Sequence, residues 1–236
     1  GTICSVASVD KPGGACQPAP MTQTLIIGAG ITGAALAYQL SRRGEAVTIL
    51  STHAEGGLAS AASFGWLNAS YFLNHPHYRL RHEGMAAHRR LSQALPGLPT
   101  TWPGCLWYES TGDAQEETAS DLKALDYKVE RLTRAQVVDR LPALGPVPET
   151  ALFFPEEGVA DPAILARALI AASGAQVIRA TVQSVTEAKG KVTGVTTDLG
   201  PLTATRVILA TGTGTPALLE PFRYTLPMLQ RPGLMV

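Results

Sequence analysis

The chain has 236 residues, with 19 Lys and Arg against 19 Asp and Glu, so its formal net charge is zero. That balance argues against nucleic acid or an anionic membrane surface as a partner, because both select a basic excess. Hydrophobic residues at 45% and charged residues at 16% exclude a wholly disordered chain, and the length suits one to two domains with a sizeable core.

Residues 1–20 are rich in Pro, Gly, Ala and Ser. Asp10, Lys11 and Pro12 interrupt the apolar core that a signal peptide requires. This segment reads as a disordered leader or a reading-frame artefact, with Met21 as the natural start. Cys4, Cys16 and Cys105 are odd in number and form no Cys-x-x-Cys, so reduced thiols in a cytoplasmic protein are expected. Thr24–Leu40 runs 17 residues without a charge, but three glycines interrupt it, so no integral membrane segment is expected.

Thr24–Ile27 is a short apolar run that predicts a buried parallel strand. Gly28-x-Gly30-x-x-Gly33 follows it. Ala34, Leu36, Ala37 and Leu40 then recur at helical spacing as far as Arg42-Arg43, and Gly44 supplies the stop. Ala46–Leu50 is a second buried run, which completes a βαβ unit. Glu55–Asn68 reads as a long small-residue loop. Pro76 marks the start of an amphipathic helix that ends near Pro96-Gly97. A strand is expected at Cys105–Glu109, a helix at Ala114–Leu125, and a capping box at Thr133-x-x-Gln136. Leu144–Pro148 is turn-rich. Asp161-Pro162 caps a helix over 162–173 that Gly174 ends. Strands are predicted at Gln176–Ala180, Val182–Glu187 and Lys191–Thr197, the last two joined at Lys189-Gly190. Arg206–Ala210 is a third buried run, followed by Thr211-Gly212.

The glycine motif carries the chemistry. It follows a strand, opens a helix and lies within a βαβ unit, the context in which it binds a dinucleotide. Gly28 permits the tight turn, Gly30 lets a pyrophosphate approach the backbone, and Gly33 allows close helix–strand packing. The first-turn N–H groups of Ile31, Thr32 and Gly33 face where the anion would lie. The acidic residue expected at the end of the second strand, to bind the ribose, is absent, and Ser51 stands there. Three readings remain open: a weaker ribose contact from Ser51, a 2′-phosphate pocket of Ser51, Thr52 and His53 that would take NADP, or a plain loop residue.

From Thr24 onward the chain resembles the N-terminal part of the D-amino-acid oxidase/glycine oxidase family of FAD-dependent oxidoreductases. Four ordered stretches carry the resemblance: TLIIGAGITGAALAYQLSRRGEAVTIL, GGLASAASFGWLNA, FPEEGVADPAILARALIAASGAQVIRATVQSV and GKVTGVTTDLGPLTATRVILATGTGT. It implies an α/β architecture: a Rossmann-like FAD-binding domain over 21–75 and 150–215, with an inserted mixed-sheet substrate domain over 76–149 and 216–236, truncated. It also implies FAD as cofactor, with Ser60 and Ser63 near the pyrophosphate, Val182 against the adenine, and Thr211 and Gly212 approaching the cofactor.

The implied reaction is oxidation of the C–N bond of an amino acid or secondary amine by hydride transfer to flavin. His75, His77, Arg79, Arg81 and His82 follow the small-residue loop, and His77 and Arg79 are the catalytic candidates. An arginine there would pair with a substrate carboxylate. Tyr71, Trp66 and Trp107 are candidates for a pocket wall. No metal ligands are grouped. The resemblance places the chain's end within a strand of the substrate sheet, so activity would need a complementing C-terminal part or a homo-oligomer. The alternatives are an NADP-binding oxidoreductase and a non-catalytic dinucleotide-binding half.

Overall fold

The computed structural model describes residues 22–228, so the expectations for the leader, for Met21 and for the chain end lie outside the described residues. The first apolar run forms β1 (Thr22–Ile27), and the second forms β2 (Val47–Ser51), parallel to it. Leu25, Ile26, Ile27, Ile49 and Leu50 are all buried, as strands covered on both faces require. Helix α1 (Ile31–Ser41) connects them and ends before Gly44, whose φ of +81° suits glycine.

The loop expected over Glu55–Asn68 instead holds a short helix, α2 (Leu58–Ala61), and a two-residue strand, β3 (Trp66–Leu67). Strand β3 is too short to show a period of its own, and pairing with a distant strand creates it. Helix α3 (His75–Ala94) starts one residue before Pro76, because the Asn74 side chain caps it by accepting from the His77 N–H at 3.0 Å. Strands β4 (Thr100–Thr101) and β5 (Cys105–Trp107), helix α4 (Asp113–Ala124), strand β6 (Glu130–Thr133) and helix α5 (Arg134–Arg140) follow, with the predicted Thr133–Gln136 capping box in place.

Strands β7 (Thr150–Phe154) and β8 (Gly158–Ala160) precede α6 (Pro162–Ser173). Asp161 caps α6 through the N–H groups of Ala163 and Ile164, and Gly174 ends it in the left-handed conformation. Strands β9 (Gln176–Arg179), β10 (Val182–Ala188), β11 (Lys191–Thr197) and β12 (Gly200–Leu209) and helix α7 (Thr215–Leu219) complete the described residues. Strand β12 is twice the length expected, because its first half pairs with β11 and its second half with β1.

One six-stranded sheet runs β10-β11-β12-β1-β2-β9. Strands β12, β1, β2 and β9 are parallel, and β10, β11 and β12 form an antiparallel meander at one side. Two antiparallel three-stranded sheets stand apart from it, β3-β8-β4 and β5-β7-β6. The expected α/β class is therefore present, but the mixed sheet is the large one, and the two small sheets are wholly antiparallel. Residues 150–160, expected to open the second cofactor segment, hold β7 and β8, the central strands of the two small sheets. The large sheet resumes only at β9.

Ala34, Ala37, Leu165, Ala166 and Leu169 pack α1 and α6 together over the large sheet. Each buried leucine there contributes about 1.5–3 kcal/mol. Tyr78, Met85, Leu122, Tyr127, Leu152 and Phe154 form the core beneath the small sheets. Helix α3 joins the two cores, with Tyr78 and Met85 in the second and Leu91 and Leu95 against the first. That bridge fixes the space between the large sheet and the small ones.

Candidate cofactor and substrate site

At Gly28 three strand ends converge. Its N–H donates to the Leu50 carbonyl at 2.8 Å, and the Ala210 N–H donates to the Ile27 carbonyl at 2.8 Å. Gly28 has φ +112°, and a Cβ there would stand 2.3 Å from the Ala210 carbonyl oxygen. A Cβ on Gly33 would stand 1.9 Å from the Gly28 carbonyl oxygen, so helix and turn touch through bare backbone. Gly30 is the N-cap of α1 and has no side chain to fill the first turn.

A second loop packs on this turn. The Gly56 N–H donates to the Ala29 carbonyl at 2.9 Å, and a Cβ on Gly57 would meet the Gly30 Cα at 3.1 Å. The Ile31 N–H donates to the Ser60 hydroxyl at 3.0 Å. Thr32 is exposed at the same helix end, and Thr211 and Gly212 follow β12 directly beside Gly28. The structure thus brings Gly28, Gly30, Ile31, Thr32, Gly33, Ser60, Thr211 and Gly212 to one place.

Three other candidates sit differently. The Ser63 hydroxyl accepts from the Gly65 N–H at 3.1 Å. Val182 lies at the start of β10, packed against the cluster of Leu25, Ile27 and Leu50. Ser51 is buried, and its hydroxyl donates to the His53 carbonyl at 2.9 Å while accepting from the His53 N–H at 3.3 Å. That hydroxyl is occupied within its own turn.

A cavity of about 830 Å³ runs beside the glycine turn. Ile31 of α1, Pro162 and Leu165 of α6, and Ser63 and Gly65 of the loop before β3 line it on one side. Phe64, Trp66, Tyr71, Phe72 and Trp107 give it an aromatic wall, and Arg81 is the one Lys or Arg in its lining among the described residues. The Arg81 Nη1 donates to the Asn68 Oδ1 at 2.8 Å, its Nε lies 2.8 Å from the His77 Nε2, and its guanidinium lies 5.7 Å from the Tyr71 ring centre. The Leu73 N–H approaches the other ring nitrogen of His77 at 3.1 Å. A neutral imidazole accepts at one nitrogen, so His77 satisfies one of these donors at a time. Arg79 is exposed and outside the cavity lining. Of the basic cluster, Arg81 therefore reaches the cavity and His77 braces it.

The wall behind Arg81 depends on a residue that sequence reasoning missed. Glu157 is fully buried between β7 and β8. Its Oε2 accepts from the Trp66 Nε1–H at 2.8 Å, and its Oε1 accepts from the Tyr127 hydroxyl at 2.9 Å and the Ser70 N–H at 3.2 Å. Burial and then the Glu157 charge push the Cys105 thiol up to about 12, and the same two causes raise the Tyr127 hydroxyl well above its ordinary value. Both groups stay protonated and able to donate. His88 also lines the cavity, and burial lowers its pKa. Its Nδ1 is buried without a partner. Among the described residues no group of three His, Cys, Asp or Glu is placed to hold a metal ion, and no helix is long and apolar enough to cross a membrane.

The chain matches the family described as FAD dependent oxidoreductase over residues 23–236. Among solved structures, glycine oxidase from Bacillus cereus is similar at a TM-score of 0.77 and 25% identity, over 85% of this chain and 58% of that one. L-amino acid deaminase from Proteus vulgaris gives 0.78 and 18% over 93% and 53%, and NikD, an amino acid oxidase of nikkomycin biosynthesis, gives 0.69 and 26% over 84% and 53%. The chain thus spans little more than half the length of these structures. Comparison with curated proteins returns no match.

The cofactor of this family is FAD, and the residues present fit it. Gly30 caps α1 without a side chain and Thr32 is exposed beside it, so the first turn of α1 suits a pyrophosphate. The orphaned His88 Nδ1 marks a polar point in the wall of the adjoining cavity. FAD also displaces the NADP reading that Ser51 had kept open. From the βαβ turn through the six-stranded sheet to the cavity beside it, this chain belongs to the FAD-dependent oxidoreductase family.

Proposed function

We propose that the protein oxidises the C–N bond of an amino acid or secondary amine whose carboxylate docks on Arg81. Bound FAD supplies the hydride acceptor. The observation that carries this reading is Arg81 itself, a braced guanidinium in an aromatic cavity that adjoins the dinucleotide turn. Arg81 pairs with the carboxylate, Asn68 and His77 fix its plane, and the aromatic wall excludes water from the substrate's carbon skeleton. His77 acts through Arg81, and the exposed Arg79 has no role in this reading. The released imine then hydrolyses in solution.

The cofactor roles follow the same geometry. Gly28, Gly30, Ile31, Thr32, Gly33 and Ser60 hold the pyrophosphate end, and Ser63, Thr211 and Gly212 approach the rest of the cofactor. Val182 stands toward the adenine, and Ser51 only shapes its turn. A cytoplasmic location belongs to the reading.

The test uses anthranilate, an aromatic carboxylate bound by a related Proteus myxofaciens deaminase. Titrated into the FAD-loaded protein, it should shift the flavin absorbance bands. Arg81→Leu should weaken that binding about 10- to 100-fold, the range of a lost charge-assisted pair. Equal affinity in Arg81→Leu and the wild type overturns the assignment.

A second reading has its own observation. Phe64, Tyr71, Leu73 and Leu80 are 61–79% exposed, and Phe64 and Tyr71 border the cavity. Apolar surface of that kind marks a contact site, here for a complementing C-terminal part or a second copy. FAD-loaded protein assayed alone over D-amino acids, glycine and sarcosine decides this. Turnover by this chain alone, as a monomer by light scattering, removes the need for either partner.

A further inference from the structure

We infer that Glu157 is the positioning residue of the cavity wall, an inference that rests on the site proposed for Arg81. It is a fully buried carboxylate, and among the described residues none of the ion pairs involves it. Neutral donors satisfy it instead, on both oxygens. A buried charge of this kind is costly to desolvate and is weak as a source of stability. Its geometry gives it another use.

Two of its donors, Trp66 and Ser70, lie at the ends of one five-residue segment of the wall. The third, Tyr127, also takes the Ala69 N–H at 3.4 Å. The segment's middle residue, Asn68, is the acceptor that holds Arg81 at 2.8 Å. Glu157 thus clamps both ends of the segment whose centre aims the guanidinium. It does not border the cavity itself, so it acts through Trp66, Ser70 and Asn68. Only an acceptor on both oxygens can serve this set, since Trp66 and Ser70 donate through N–H groups that cannot reverse.

Glutamine keeps the shape but offers an amide N–H₂ on one side. With its oxygen toward Ser70 and Tyr127, its nitrogen faces the Trp66 N–H, donor against donor. Glu157→Gln should therefore weaken anthranilate binding about tenfold, the cost of one buried unmet donor. FAD affinity should stay within about twofold, because the glycine turn is held independently. Trp66→Phe removes the conflicting donor, so adding Glu157→Gln in that background should cost less than about threefold. An equal loss in both backgrounds, or an FAD loss as large as the anthranilate loss, overturns the inference.

Hydrogen exchange separates this from failure of the Arg81 reading. If wild-type protein gives no anthranilate signal, the proposed substrate site falls, and residues 66–70 still decide Glu157. Their amides should exchange faster in Glu157→Gln while β1 and α1 keep their protection, and unchanged exchange at 66–70 overturns the inference. If Glu157→Gln does not fold, Tyr127→Phe removes one donor and leaves the carboxylate. It should raise exchange at Ala69 and Ser70, and unchanged protection there is equally fatal.

Discussion

The dinucleotide turn keeps its shape by omitting side chains, whereas the wall segment 66–70 keeps its shape by burying polar ones. At the turn, a Cβ on Gly28, Gly33 or Gly57 would first meet other backbone, and the nearest atom at Gly30 is the Ser60 hydroxyl. At the wall, one carboxylate collects an indole and a backbone N–H from the two ends of segment 66–70 and a phenol from Tyr127. The turn therefore tolerates no added atom at Gly28 or Gly33, and the wall tolerates no missing acceptor. The first is proposed to hold the cofactor through N–H groups that every residue carries. The second orients one particular guanidinium.

The largest effect should come from adding a methyl group to the turn. Gly33→Ala places a Cβ 1.9 Å from the Gly28 carbonyl oxygen, a contact that only a shift of helix or strand can relieve. Urea unfolding should register a loss of about 3 kcal/mol or more, and FAD titration a matching loss of affinity. A cost under about 1 kcal/mol would mean that the turn is held by something other than backbone contact, and the contrast with the wall would dissolve.

A pH titration of stability isolates the wall. Cys105 and Tyr127 are acids whose folded pKa is raised by burial and by the Glu157 charge, Cys105 from 9.0 to about 12. Below pH 9 both states carry these protons and the stabilisation is complete. Above it the unfolded chain loses a proton that the native state keeps, so stability falls as pH rises toward 12. One such proton gives at most about 1.4 kcal/mol per pH unit, less here because Cys105 is only partly buried. Urea midpoints measured at half-unit steps from pH 8.5 to 10.5 should therefore decline, and Cys105→Ala should flatten the early part of the decline. A flat profile in the wild type would remove the electrostatic link between Glu157 and Cys105. The glycine turn carries no titrating group and should not contribute.

The same contrast explains what the sequence could disclose. The turn was legible because its requirement is for a residue type at fixed spacing, and glycine at 28, 30 and 33 states it openly. Helices α1, α5 and α6 were legible because their caps lie next to them in the chain. Strand β7 was not, since Thr150–Phe154 gains its identity from pairing with β5 and β6. Strands β3, β4 and β8 are two or three residues long and exist only as pairs. Glu157 was hidden for the same reason. Its partners stand 30 to 91 residues away, and a glutamate beside Glu156 before a glycine reads as surface. Within the basic cluster, spacing could not separate Arg79 from Arg81, because which of the two faces the cavity depends on how α3 is rotated against the wall.

The smallest effect tests the edge of the turn region, where a polar side chain does occur. Ser51 ends β2, where the sequence motif predicts a carboxylate, and its hydroxyl is closed on the His53 carbonyl and N–H. Ser51→Ala should leave the FAD dissociation constant within about threefold and cost roughly 0.5–1 kcal/mol of stability, the worth of a local turn bond. Flavin fluorescence quenching measures the first and urea unfolding the second. A tenfold loss of FAD with stability unchanged would mean that the hydroxyl leaves its turn to meet the ribose. The cofactor region would then rely, like the wall, on a side chain. If FAD affinity holds, the Ser51 hydroxyl serves its own turn and takes no part in holding the adenosine end.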